Sequence, residues 1–291
     1  MPSTTINDHC LHYDVSGVGP PILFIHGGFG GIATVIGSRE HDWARALTDG
    51  YTFVAYDRRS TGRSEFPAAD YDLAALAADA YGLLRHLGFD DAIVMGDSAG
   101  GPIALTFAVT YPGATRGLVL AETGARLLGG AFAERIRARV AILRRDGPEA
   151  AYAERRLQGG VGLGEREQWF SLPPEYTERL AREQESALER LRATTRADRV
   201  RWYAGELRNY AAYLDQDLHP RLAEIRCPTL VIHGDGDKLV PHAMGARLAA
   251  AIPGAELQTI AGADHGVMYF PGATAALREW LDRHVGASAR V

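Results

Sequence analysis

The chain has 291 residues, 46% of them hydrophobic and 23% charged, with a formal net charge of −5 and a pI near 6.1. That length suits one large α/β domain, or a domain carrying an insertion, and the mild acidity argues against electrostatic binding to nucleic acid. No apolar run approaches a membrane span, and Cys10 and Cys227 stand far apart without CxxC spacing, so neither a disulfide framework nor a zinc cluster is expected. A reduced, cytoplasmic setting follows as the expectation, and the first residues carry no basic or apolar leader pattern.

Residues 4–16 alternate loosely, as one or two edge strands would, with Cys10, His12 and Val15 as candidate inward positions. Ile22-Leu23-Phe24-Ile25 reads as a buried strand. It stops at His26-Gly27-Gly28-Phe29-Gly30-Gly31, where small residues let the backbone turn and present N–H groups. A short helix around Trp43 to Leu47 precedes a strand over 51–56. That strand ends in a polar loop, Asp57-Arg58-Arg59-Ser60-Thr61-Gly62-Arg63-Ser64. An amphipathic helix from Asp72 to Leu87 closes at Gly88.

Ile93-Val94-Met95-Gly96-Asp97-Ser98-Ala99-Gly100-Gly101 comes next: an apolar strand, a hard turn with Ser98 at its tip, and at once a helix. The spacing Gly96-x-Ser98-x-Gly100 is that of a nucleophile elbow, in which flanking glycines relieve crowding and the strained turn lifts the hydroxyl clear of the sheet. An ordinary serine in a Gly-rich turn is the bland alternative. Asp97, beside it, is expected to point away.

A further buried strand, Gly117 to Ala121, completes an alternation of strands and helices, which implies a mostly parallel, doubly covered sheet. From 122 to 220 the texture changes to Arg, Glu and Ala at helical spacing, over 131–145, 149–157, 175–193 and 199–215. This reads as an all-helical cap inserted after the strand ending near Ala121, so that residues 1–121 and 221–291 form the α/β core. The sheet resumes at Cys227 to Ile232 and ends in His233-Gly234-Asp235-Gly236-Asp237. A helix over 241–251, a strand near 256–260, the turn Ala261-Gly262-Ala263-Asp264-His265-Gly266 and a helix over 273–285 follow.

Ser98, Asp237 and His265 each stand just past a strand end, and in an open parallel sheet those ends share one edge. A free hydroxyl is a weak nucleophile; it needs an imidazole as base and an acid to fix that imidazole's tautomer. Ser98, His265 and Asp237 are therefore the candidate catalytic residues, with Glu122 as the alternative acid and Asp235 as a weaker rival. Two amides would hold the oxyanion: Ala99 at the helix start and, from the loop after the first buried strand, Gly28, with Phe29 as the lesser alternative. His26, His233 and His242 read as structural, and Arg58 and Arg59 as loop anchors.

These motifs, spread from residue 22 to 265 in family order, resemble capped α/β-hydrolases with a serine nucleophile. Haloalkane dehalogenases and epoxide hydrolases place Asp at the Ser98 position, and zearalenone-opening lactonases place their acid where Glu122 stands. The resemblance implies hydrolysis through an acyl-enzyme with no cofactor; no metal is expected. The expected substrate is a small, largely apolar ester or lactone, with Phe29, Trp169, Trp202, Tyr203 and Tyr210 lining its pocket. Hydrolysis of a C–C bond, perhydrolysis, or a receptor with little turnover are the alternatives. Neither a nucleic acid nor a membrane is expected as partner, and the sequence does not choose between monomer and homodimer.

Overall fold

A computed structural model of the chain describes residues 2–29, 42–157, 173 and 193–285. Eight strands form one sheet in the order β1-β2-β4-β3-β5-β6-β7-β8. β1 (Ser3–Ile6) and β2 (His9–Gly17) make an antiparallel hairpin at one edge, turned by Asn7 and Asp8 with φ of 48° and 64°. β2 pairs antiparallel with β4 (Thr52–Tyr56). β3 (Pro21–Ile25), β5 (Ala92–Asp97), β6 (Thr115–Ala121), β7 (Thr229–Gly234) and β8 (Glu256–Ile260) continue the sheet in parallel.

The central strands are buried on both faces, which is why they read as unbroken apolar runs. Their side chains alternate between two cores. Leu23, Ile25 and Val94 pack on one side with Leu76, Leu83, Ile103 and Phe107; Ile22, Phe24, Ile93 and Met95 pack on the other with Trp43, Leu277 and Trp280. The helices supplying those partners are α1 (Asp42–Arg45), α2 (Leu73–His86), α3 (Gly100–Thr110) and, near the end of the chain, α8 (Ala273–His284). α2 starts where Asp72 accepts the Ala75 amide at 2.8 Å, which satisfies one of the orphan donors of a helix start.

The first hairpin corrects one expectation. The inward residue of β2 is Leu11, fully buried, whereas Cys10 and His12 are half-buried and Val15 is 40% exposed. A shift of one residue exchanges the two faces of a strand, and Leu11 rather than its neighbours packs with the α2 core.

Between β6 and β7 the chain leaves the sheet. It forms α4 (Gly130–Asp146), α5 (Pro148–Leu157) and α6 (Arg196–Tyr213), with Ile136, Val140, Leu143, Ala151, Tyr203, Ala204 and Leu207 as a small core of their own. A 3-10 turn (His219–Glu224) leads back to β7, and α7 (His242–Ala251) lies between β7 and β8. No helix among the described residues is long and apolar enough to cross a membrane.

Candidate active site

β5 and β6 run side by side, Gly96 beside Leu120 and Asp97 beside Ala121, and each ends in a residue with left-handed backbone: Ser98 with φ 46° and Glu122 with φ 43°. Such conformations are costly for residues with a Cβ and concentrate at functional sites. The turn at Ser98 is too tight for side chains beside it. A Cβ on Gly100 would come within 1.9 Å of the Ile25 carbonyl oxygen. The Ser98 amide remains in the sheet, donating to the Ala121 carbonyl at 2.9 Å, and its carbonyl accepts from the Thr123 hydroxyl at 2.6 Å. Its side chain is left at the sheet edge.

His265 reaches that edge from the turn after β8. Its Nε2 lies 3.1 Å from Ser98 Oγ and its Nδ1 2.9 Å from Asp237 Oδ2. Asp237, in the turn after β7, also accepts the Leu239 and Val240 amides at 2.9 and 2.8 Å through Oδ1. Burial pushes the Asp237 carboxyl up, but hydrogen bonds from His233, His265 and Val240 outweigh it and hold the group well below the usual carboxylate range. Asp264 fastens the same turn by accepting the His265 amide at 2.9 Å.

Glu122 sits on the other side of the imidazole, with Oε1 3.7 Å from His265 Nε2. Its Oε2 accepts the Gly266 and Val267 amides at 2.5 and 2.6 Å, so it grips the turn that carries His265 without touching Nδ1. Asp97 does not turn away from the site. Its carboxylate takes the Gly27 amide and bonds to Glu122, and a Cβ on Gly27 would come within 3.0 Å of both Asp97 Oδ2 and Ser98 Cβ. Burial raises both carboxyls; the charge of Asp97 helps carry Glu122 well above its ordinary value, while the hydrogen bond to Glu122 offsets part of the rise at Asp97. The imidazole of His265 is pushed up to about 9. Burial works against that shift, but the charge of Glu122 and the bond to Asp237 prevail.

Donor atoms of Glu122, Asp237 and His265 lie within 4.8 Å of one another. Hydrogen bonds already occupy both Asp237 oxygens, one Glu122 oxygen and His265 Nδ1, which leaves few of these atoms free to ligate an ion. The rival residues have other tasks. Asp235 accepts the Gly262 amide at 2.7 Å; His233 lies 2.8 Å from the Val240 carbonyl; His242 meets Thr259 at 2.9 Å; and His26 meets the Gly27 carbonyl at 2.7 Å.

Residues 20–271 match the model of a family described as alpha/beta hydrolase fold. The chain belongs to the alpha/beta hydrolase fold family. A relative named putative carbamate hydrolase RutD, from Azorhizobium caulinodans, is 30% identical over 279 residues and spans 94% of each chain. Another, a non-heme chloroperoxidase CPO-A1 from Kitasatospora aureofaciens, is 30% identical over 295 residues, again with 94% of each chain covered. Among solved structures, an enol-lactonase from Burkholderia xenovorans LB400 superposes with a TM-score of 0.72 at 25% identity, covering 96% of this chain and 99% of that one. The fold and these relatives place the chain among hydrolases.

In this alpha/beta hydrolase chain the expected pocket aromatics have different fates. Phe29 stacks on Tyr210 at 4.2 Å between ring centroids and meets Tyr213 edge-on at 5.0 Å, so α6 lies directly over the loop after β3. Trp202 is half-buried. Tyr203 turns inward, 5% exposed, against Tyr152 at 6.0 Å in the small core of the β6–β7 segment. There it serves packing, because its helix face is the one α4 and α5 cover. Trp169 lies outside the described residues. Sequence reasoning did not foresee the Asp97–Glu122 pairing. The one available signal was that both acids directly follow adjacent strand ends.

Proposed function

We propose that the protein is a serine hydrolase cleaving a small, largely apolar ester or lactone through an acyl-enzyme. The observation that carries this is the continuous relay from Ser98 Oγ to His265 at 3.1 Å and from His265 to Asp237 at 2.9 Å. In this reading His265 takes the Ser98 proton as the oxygen attacks the carbonyl, while Asp237 holds the imidazole in the tautomer that leaves Nε2 free to accept. The amides of Ala99 and Gly28 hold the tetrahedral oxyanion. His265 then protonates the departing alcohol, and a water deprotonated by the same ring releases the acid and restores Ser98. The helices between β6 and β7 act as a cap, with Phe29 and Tyr210 forming an apolar wall above the nucleophile.

Enol-lactone and carbamate, the substrates in the relatives' names, are both carbonyls with a heteroatom leaving group, and the same steps serve either. A second reading is perhydrolysis, favoured by the relative named as a non-heme chloroperoxidase. There hydrogen peroxide replaces water on the acyl-enzyme, giving a peroxy acid and free Ser98.

The test is turnover of p-nitrophenyl butyrate, a lactone panel and a phenyl carbamate by wild type and Ser98→Ala. Loss of about 10⁴-fold or more in kcat for the variant is expected, since removing one triad member disables the unit. Ester turnover that survives Ser98→Ala overturns the reading. Bromination driven by acetate and peroxide in excess of ester turnover favours the second.

A further inference from the structure

Arg58 is only 1% exposed, yet among the described residues no carboxylate lies within 4 Å of its guanidinium. The acids near its loop are engaged elsewhere: Asp57 accepts the Arg63 amide at 3.0 Å, and Asp79 accepts Arg59 at 2.5 and 2.6 Å. Its own donors go to uncharged partners. Nη2 reaches the Gly28 carbonyl at 2.5 Å and the Gly27 carbonyl at 3.4 Å, Nε reaches His26 Nε2 at 3.4 Å, and Nη1 reaches the Tyr213 hydroxyl at 3.2 Å. Tyr213 passes the contact on by donating to the Ala99 carbonyl at 2.5 Å. One buried cation thus holds Gly28 directly and Ala99 through a single hydroxyl. These are the two residues whose amides are assigned to the oxyanion.

Burying a full charge without a counter-charge is expensive. A negative charge that develops nearby only in the transition state relieves that expense at the moment when it lowers the barrier. We propose that Arg58 and Tyr213 are positioning residues of the oxyanion site. They hold the Gly27 carbonyl, which shares a peptide plane with the Gly28 amide, and the Gly28 and Ala99 carbonyls on the planes that follow the two amides, so that those amides converge, and Arg58 supplies a preorganised positive potential behind them. No proton or bond changes hands at either residue. The catalytic part of the assignment rests on Ser98 being the nucleophile. Because Tyr213 belongs to α6, docking of that helix becomes a condition for a formed oxyanion site.

The experiment compares wild type with Tyr213→Phe, Arg58→Met and Arg58→Lys in two independent arms. The first needs no substrate: hydrogen–deuterium exchange of segments 26–29 and 98–101 should quicken about tenfold in Tyr213→Phe and Arg58→Met while the central strands stay protected. The second uses p-nitrophenyl butyrate: kcat should fall about tenfold in Tyr213→Phe and about 100-fold in Arg58→Met, with KM within about twofold and Arg58→Lys recovering part of the loss. Affinity for a trifluoromethyl ketone, which forms the tetrahedral oxyanion, should fall in step with kcat/KM. Unchanged exchange overturns the proposal whatever the chain does to esters. Unchanged kcat in a variant of an active wild type overturns it too, even if the melting temperature drops. Quickened exchange in the variants, when the wild type itself shows no hydrolase activity, overturns the reading of Ser98 and upholds the strut.

Discussion

Three carboxylates, Asp97, Glu122 and Asp237, surround the single imidazole of His265, and they divide its control between them. Asp237 orients the ring through Nδ1, while Glu122, 3.7 Å from Nε2, is the strongest charge raising its pKa to about 9. A base must be neutral to accept a proton, so kcat/KM should climb as pH rises through about 9. Glu122→Gln keeps an acceptor for the Gly266 and Val267 amides but removes the charge. That climb should then move to lower pH, which a pH–rate profile reads directly. Asp237→Asn should instead lower the rate about 10⁴-fold across the profile. The same groups set a stability window. His265 has a folded pKa above its ordinary 6.5, so the stabilisation it provides is full below that value and is lost as pH rises through about 9. Asp237 has a depressed pKa, so its contribution is present above 3.8 and is lost as pH falls toward the depressed value. Melting temperature followed against pH should decline on both sides. Ser98, Asp237 and His265 could be picked out in the sequence because each closes an apolar run. The direction of the Asp97 side chain could not, since it depends on Gly27 of another strand's loop approaching from across the sheet edge.

Elements with strong internal periodicity were readable almost to the residue, as with β8 at Glu256–Ile260 and α8 at Ala273–His284. The phase of β2 was not. That hairpin lies half-exposed at the sheet edge, and the sequence around Leu11 offers little contrast between its two faces. Pairings between elements were equally hidden. Arg59 and Asp79 form a forked, buried ion pair that ties the loop after β4 to α2, and nothing in either segment names the other. Removing one partner strands the other charge. Asp79→Asn should therefore cost about 3–5 kcal/mol. At a few degrees per kcal/mol, that is a drop of roughly 10 °C in Tm, measurable by calorimetry.

Across the whole molecule, Ser98, Asp237 and His265 come together from turns after β5, β7 and β8, and α6 packs on the loops after β3 and β4. That packing depends on a close fit. A Cβ on Gly205 of α6 would meet Phe66 Cδ1 at 2.5 Å and Ser60 Cβ at 2.8 Å. Gly205→Leu should lift α6 at a cost of about 1–3 kcal/mol. Turnover should fall at temperatures well below the midpoint, which itself drops by only a few degrees, and a kcat equal to wild type would contradict the dependence on α6. The order of the strands has a temporal consequence as well. β6, the apolar run Gly117-Leu118-Val119-Leu120-Ala121, finds its outer neighbour only in β7, which begins at Thr229. At roughly 5–20 residues per second on the ribosome, the open flank of β6 waits several seconds for a partner not yet synthesised. In every newly made copy, that interval is when a sticky strand is most open to strangers and a chaperone would have most to shield.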